Sequence, residues 1–174
     1  MTDPTTNTPY IKSRAAITAD GLYRYSLRRQ WGTYSATVCW VMLNPSTADA
    51  DKDDPTIRRC VTFSKSWGYD GMVVVNLYAY RATNPAELAD AVGAGIDIRG
   101  PGNEAFIRLA IQTSSIAVAA WGAHRQPIPP TDVRTIAANL GRPLHCLGTT
   151  KDGSPRHPLF VKGDTHREPW ASLV

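Results

Sequence analysis

The sequence predicts an α/β protein: a three-layer sandwich with a central, mostly parallel four-stranded sheet plus an antiparallel N-terminal strand. Two observations carry this. Short valine-rich apolar runs alternate along the chain with stretches whose apolar residues recur at helical spacing, the pattern of repeated strand–helix units. The strongest of those runs is continuous rather than alternating, as expected of a strand covered on both faces.

The elements follow in order. Residues 1–12 read as a disordered lead and residues 13–174 as one domain. "LYRYSLRRQWG" (22–32) alternates aromatic or aliphatic with basic residues, which suits a half-buried strand. "TYSATVCWVML" (33–43) supplies its antiparallel neighbour or its continuation, and Val38–Leu43 is the first strong core strand. Asp54 and Pro55 make an N-cap followed by proline at the first helical position. Ile57, Cys60, Val61 and Trp67 mark one face of the helix behind them, and Gly68 ends it.

"MVVVNL" (72–77) is the second core strand. Residues 81–103 are loop-rich with one short helix, and Phe106, Ile107, Ala110 and Ile111 line the next. "SIAVAAWG" (115–122) is a third strand, and Thr131 caps a helix with Val133, Ile136, Ala137 and Leu140 at i, i+3, i+4 and i+7. "LHCLG" (144–148) is a fourth short strand, followed by a turn-rich segment.

A chain of 174 residues with 43% hydrophobic and 20% charged residues is long enough for a sizeable core and is not globally disordered. Nineteen lysines and arginines against fifteen acids leave +4, compatible with a polyanionic partner without requiring one. Cys39, Cys60 and Cys146 are far apart and share no metal-ligand spacing with the histidines, so they read as small core residues in a reducing cytoplasm. The polar N-terminus is no secretory signal, and no run reaches transmembrane length. No metal, no cofactor and no membrane partner is expected, and a monomer is favoured.

In an open parallel sheet, ligands sit outside the carboxyl ends of the strands. Here the first strand ends in Asn44-Pro45-Ser46, and the second in Asn76, followed by Tyr78, Tyr80 and Arg81. The third ends in Trp121-Gly122 with His124 and Arg125 beyond, and the fourth leads to Lys151, Arg156, His157 and Pro158. Each has a plain alternative. Asn44 is either a turn former before proline or a site residue, Trp121 either core or site, and His157 either surface or functional. Asp49, Asp51, Asp53 and Asp54 read as a solvated loop, because the glycine and final glutamate of a calcium loop are absent. Asn76 is harder to explain as scaffold, since a buried amide needs partners. Phosphate-loop glycines and a nucleophile elbow are both missing.

The blocks "MLNPSTAD", "DPTIRRC", "WGY", "NLYAYRATNP", "GPGN", "AWG" and "PRHPL" resemble a bacterial and phage family of unknown function, from about residue 20 to residue 162. More distantly, their order resembles the uracil-DNA glycosylase superfamily. In that superfamily an Asp-Pro or Asn-Pro turn ends the first parallel strand, an asparagine on the second reads the base, Trp-Gly ends the third, and a His-Pro turn follows. The resemblance implies a uracil-DNA-glycosylase-like fold and an N-glycosylase acting on a flipped modified or mismatched base in DNA. Asn44 and His157 would be catalytic. Pro45, Ser46, Asn76, Tyr78, Trp121 and Arg156 would bind substrate, and Arg81 and Lys151 would hold the nucleic-acid backbone. The aspartate of the usual first block is missing, and Leu159 follows His157-Pro158 where uracil excisers have serine. Two further functions stay open: a non-catalytic reader of nucleic acid or modified bases, and an enzyme on free nucleotides or nucleosides.

Overall fold

A computed structural model describes residues 10–33, 36–124 and 126–170. Among them are seven strands and four helices: β1 Lys12–Ile17, β2 Arg24–Gln30, β3 Thr37–Met42, α1 Pro55–Ser66, β4 Gly71–Asn76, α2 Ala86–Gly93, α3 Asn103–Thr113, β5 Ile116–Ala119, α4 Val133–Asn139, β6 Leu144–Cys146 and β7 Glu168–Pro169. They form one mixed sheet in the order β1-β2-β4-β3-β5-β6-β7.

Four strands, β4, β3, β5 and β6, run parallel. This is the parallel core that the apolar runs predict. The strand count of five is corrected to seven. β1 pairs antiparallel with β2, and β7 pairs antiparallel with β6. Neither added strand has a strong hydrophobic pattern, because each lies at a sheet edge. The lead expected over residues 1–12 falls outside the described residues as far as residue 9. Beyond it, Ile11 N–H already donates to Gln30 O at 2.7 Å, and Lys12 starts β1. β2 is neither neighbour nor continuation of β3. It pairs antiparallel with β4, which separates the two.

Each face of the sheet is buried by its own helices. Val38, Trp40, Met72 and Val74 pack with Ile57, Cys60, Val61 and Phe63 of α1. Cys39, Val41, Val73 and Val75 pack with residues of α2, α3 and α4. Burying each such aliphatic or aromatic side chain contributes about 1.5–3 kcal/mol, so these two clusters hold the sheet. β4 is buried along its whole length, the reason its sequence is a continuous apolar run.

The helix starts are specific. Asp54 accepts the Ile57 N–H at 2.8 Å with Pro55 behind it, as the sequence predicts. At α4 the cap is Asp132, which accepts the Thr135 N–H at 3.1 Å. Thr131, one residue earlier, instead donates its hydroxyl to Leu77 O at 3.1 Å. All three cysteines are buried and free, and desolvation pushes the Cys39 thiol up to about 12 and raises Cys60 and Cys146 as well.

The chain leaves β3 towards the α1 face and leaves β4 and β5 towards the opposite face. Connections that diverge in this way open a crevice at the carboxyl end of β3.

Candidate functional site

A cavity of about 350 Å³ occupies that crevice, walled by Leu43, Asn44 and Ser46 after β3, Asn76 at the end of β4, Trp121 after β5, and His157. Five of the residues singled out from the sequence therefore meet around one space: Asn44, Ser46, Asn76, Trp121 and His157.

The turn after β3 is fixed by its own amide. Asn44 Nδ2 donates to Pro45 O at 3.1 Å and to Ala82 O at 2.9 Å, while Ala82 N–H donates to Pro45 O at 2.9 Å. Two carbonyl acceptors can be served only by the amide nitrogen, so the orientation of the group follows and Oδ1 is its free end. Pro45 is buried and belongs to this clamp.

Asn76 is 1% exposed, and among the described residues neither its Nδ2 nor its Oδ1 has a hydrogen-bond partner. A buried amide without partners is costly, and this one lines the cavity. Its backbone carbonyl accepts from Asn103 Nδ2 at 2.9 Å. That bond explains the "GPGN" block: Gly102 at φ +84° turns the chain into α3 so that Asn103 reaches the end of β4.

His157 arrives on a tight turn. Gly122 N–H donates to Pro155 O at 2.9 Å and Arg156 N–H to Gly148 O at 3.0 Å. Arg59 of α1 grips the single 3-10 turn at Pro158–Phe160 through Pro158 O at 3.2 Å and Val161 O at 2.6 Å. Leu159 N–H donates to His157 Nδ1 at 3.3 Å, so in the neutral ring the proton is on Nε2. Burial, and then the neighbouring His124, push the His157 pKa down to about 4. At neutral pH His157 is thus an uncharged Nε2–H donor.

The other residues singled out lie elsewhere. Tyr78 is fully buried on the α2–α4 side, with its hydroxyl donating to Ile128 O. Arg156 is exposed, donates through Nε to Thr149 O at 3.0 Å, and lines an adjoining hollow that shares His124 and His157 with the cavity. Lys151 is exposed in the same hairpin. Arg81 is half-buried and turned to Gly21 O at 3.4 Å, away from the cavity lining. Arg125 lies outside the described residues.

The cavity wall also carries the titratable side chains of Arg24, Asp54 and His124, of which only His124 stood among the polar strand ends of the sequence. Asp54 was legible as a helix cap and as part of a solvated aspartate loop. The aspartate segment is also less solvated than its composition suggests. Buried Arg29 of β2 pairs with Asp53 at 2.8 Å and donates to Asp49 O at 2.6 Å, and buried Arg24 donates to Ala48 O at 2.7 Å.

The arrangement defines an α/β protein with a small cavity at the carboxyl edge of the parallel strands, its wall including polar side chains. Residues 24–159 match the family described as "Protein of unknown function (DUF1643)", and the chain belongs to that family. No curated protein and no solved structure matches it.

Proposed function

We propose that this cavity receives a nucleobase, flipped out of DNA or presented by a single strand, and that the protein is a DNA N-glycosylase-like enzyme acting on a modified or mismatched base. The three-layer, uracil-DNA-glycosylase-like architecture is part of the proposal. The observation that carries it is Asn76: a buried amide offering one donor and one acceptor, both unpartnered, into a cavity. A base edge carries the complementary acceptor and donor side by side.

In this reading Asn44 Oδ1 accepts a hydrogen bond from a water placed below the sugar. The water oxygen bonds to C1′ as the C1′–N bond breaks, and the bonding electrons stay on the departing base. The proton released by the water ends on that base. His157 Nε2–H donates to the base as negative charge develops, the kind of preorganised donor that stabilises a leaving group. Arg156 and Lys151 hold flanking phosphates.

The test is incubation of the protein with single- and double-stranded oligonucleotides carrying a panel of altered bases, followed by alkali. Strand scission above an Asn44→Ala control is expected for at least one base, and its absence across the panel sinks the enzyme. A second reading, a non-catalytic reader, is favoured by one feature: the group at the catalytic turn is an amide already clamped to two carbonyls, and an amide is no general base. Base-dependent, salt-sensitive binding without scission supports that reading.

A further inference from the structure

Two arginines on β2 are almost fully buried, Arg29 at 1% exposed and Arg24 at 2%, and their surroundings differ. Arg29 is satisfied: a carboxylate at 2.8 Å and the backbone carbonyls of Arg28 and Asp49 surround its guanidinium. Arg24 forms no ion pair among the described residues. Its Nη1 donates to Ala48 O, and its Nε has no partner among them. Burial draws its pKa down to about 10, so it is still a cation at neutral pH. The Asp54 carboxylate opposes that shift without forming an ion pair, and a buried cation lacking a paired carboxylate is expensive.

The chain also makes a local departure to put it there. Strand alternation places Leu27 and Arg29 on one face, and a residue three before Leu27 belongs on the other. Yet Arg24 reaches the β3–α1 connection on the same side as Leu27 and Arg29. The cause is a one-residue bulge. Ala16 pairs with Ser26 and Ile17 with Arg24, leaving Tyr25 unmatched, and the Tyr25 ring stacks on Phe106 of α3, on the opposite face. A bulge reverses the phase of a strand and re-aims a side chain. Here it points Arg24 at the cavity.

We propose that Arg24 is the anion-binding group of the cavity and that the ligand presents a phosphate ester to it. Arg24 lines the cavity with Nη1 held by Ala48 O and Nε without a partner among the described residues, and a guanidinium edge matches phosphate oxygens. The one carboxylate in the cavity wall, Asp54, is engaged by Ile57 N–H at the positive end of the twelve-residue α1. Asp54 keeps its negative charge but has a partner of its own there, whereas Nε of Arg24 has none among the described residues. The inference rests on the nucleobase reading for the rest of the ligand, but not for the phosphate itself. A free nucleotide and a nucleic-acid strand both carry this group.

Calorimetric titrations of the whole chain with inorganic phosphate, the common nucleosides, their 5′-monophosphates and short single-stranded oligonucleotides test it, alongside Arg24→Met and Arg29→Met. At least one phosphate-bearing ligand is expected to bind tenfold or more tightly than its nucleoside. That preference disappears in Arg24→Met, whose melting temperature stays at or above that of the parent. Arg29→Met melts lower. Retention of the phosphate preference in Arg24→Met overturns the proposal, as does its absence in the parent or a melting point for Arg24→Met as low as that of Arg29→Met. A tighter monophosphate assigns a free nucleotide, and a tighter oligonucleotide assigns a strand. Arg24-dependent binding of inorganic phosphate with no base dependence defeats the nucleobase reading and leaves this one standing. Base-dependent binding indifferent to Arg24 does the reverse.

Discussion

Asn44 and Ala82 are joined side chain to backbone: Asn44 Nδ2 donates to Ala82 O at 2.9 Å, and Ala82 N–H returns a bond to Pro45 O at 2.9 Å. The turn at the end of β3 is thereby locked to the segment that follows β4, and the lock requires a donor at position 44.

Asn44→Asp is therefore expected to destabilise the fold at pH 7, by about 1–3 kcal/mol, since an ionised carboxylate would face two carbonyl oxygens. Those oxygens favour the protonated acid and raise its folded-state pKa. The deficit relative to the parent then shrinks as pH falls and one donor is restored. Urea unfolding of both proteins at pH 7 and pH 4.5 measures it. An unchanged midpoint at pH 7 would show that the amide is not holding the turn.

Asn76→Leu removes two unpartnered polar atoms from a buried strand end. Stability without ligand is expected to hold or to rise by about 1 kcal/mol, while base-dependent binding is lost. Thermal melting and calorimetry on the same sample separate these effects. A large loss of stability would assign Asn76 to the scaffold instead.

His157 gives the fold a definite pH dependence. Its folded pKa, lowered to about 4 by burial and by His124, lies below the value near 6.5 expected in the unfolded chain. Between those limits the unfolded chain binds more protons. Stability is full above about 6.5 and is lost as pH falls towards 4, by at most about 3 kcal/mol. His157→Gln flattens this slope. An NMR titration of the ring with a midpoint near 6.5 would contradict the geometry.

Asp53 is the counter-ion of a fully buried arginine. Asp53→Ala is expected to cost about 3 kcal/mol, because it strands the Arg29 charge. It also loosens the connection that leads to Asp54 and the cavity wall. Chemical denaturation measures the first effect, and hydrogen exchange over residues 48–54 the second.

Much of this arrangement was legible in one dimension. The parallel core, the Asp54-Pro55 helix start and the polar strand ends are local patterns, and rules of spacing find them. The meeting of Asn44, Asn76, Trp121 and His157 followed from strand direction alone. What was hidden depends on pairing between distant segments. Arg24 looks like one more basic residue of an alternating strand until β1 is laid beside β2 and the bulge appears. The four aspartates look solvated until Arg29, twenty or more positions earlier, is placed among them. β1 and β7 escape because edge strands need little hydrophobic signature. Tyr78 follows Asn76 by two, yet the chain has left the strand there, and its ring enters the core on the other face.

The three cysteines offer a way to time the opening of the two halves of the interior. Cys39 and Cys146 are sealed on the side of α2–α4, and Cys60 on the buried face of α1. With access blocked and the thiols raised, the folded chain is silent towards alkylating reagents. Each thiol becomes reactive only when its own side comes apart. Mass spectrometry of a partly alkylated sample then tells whether the sheet sheds its helices together or one side at a time.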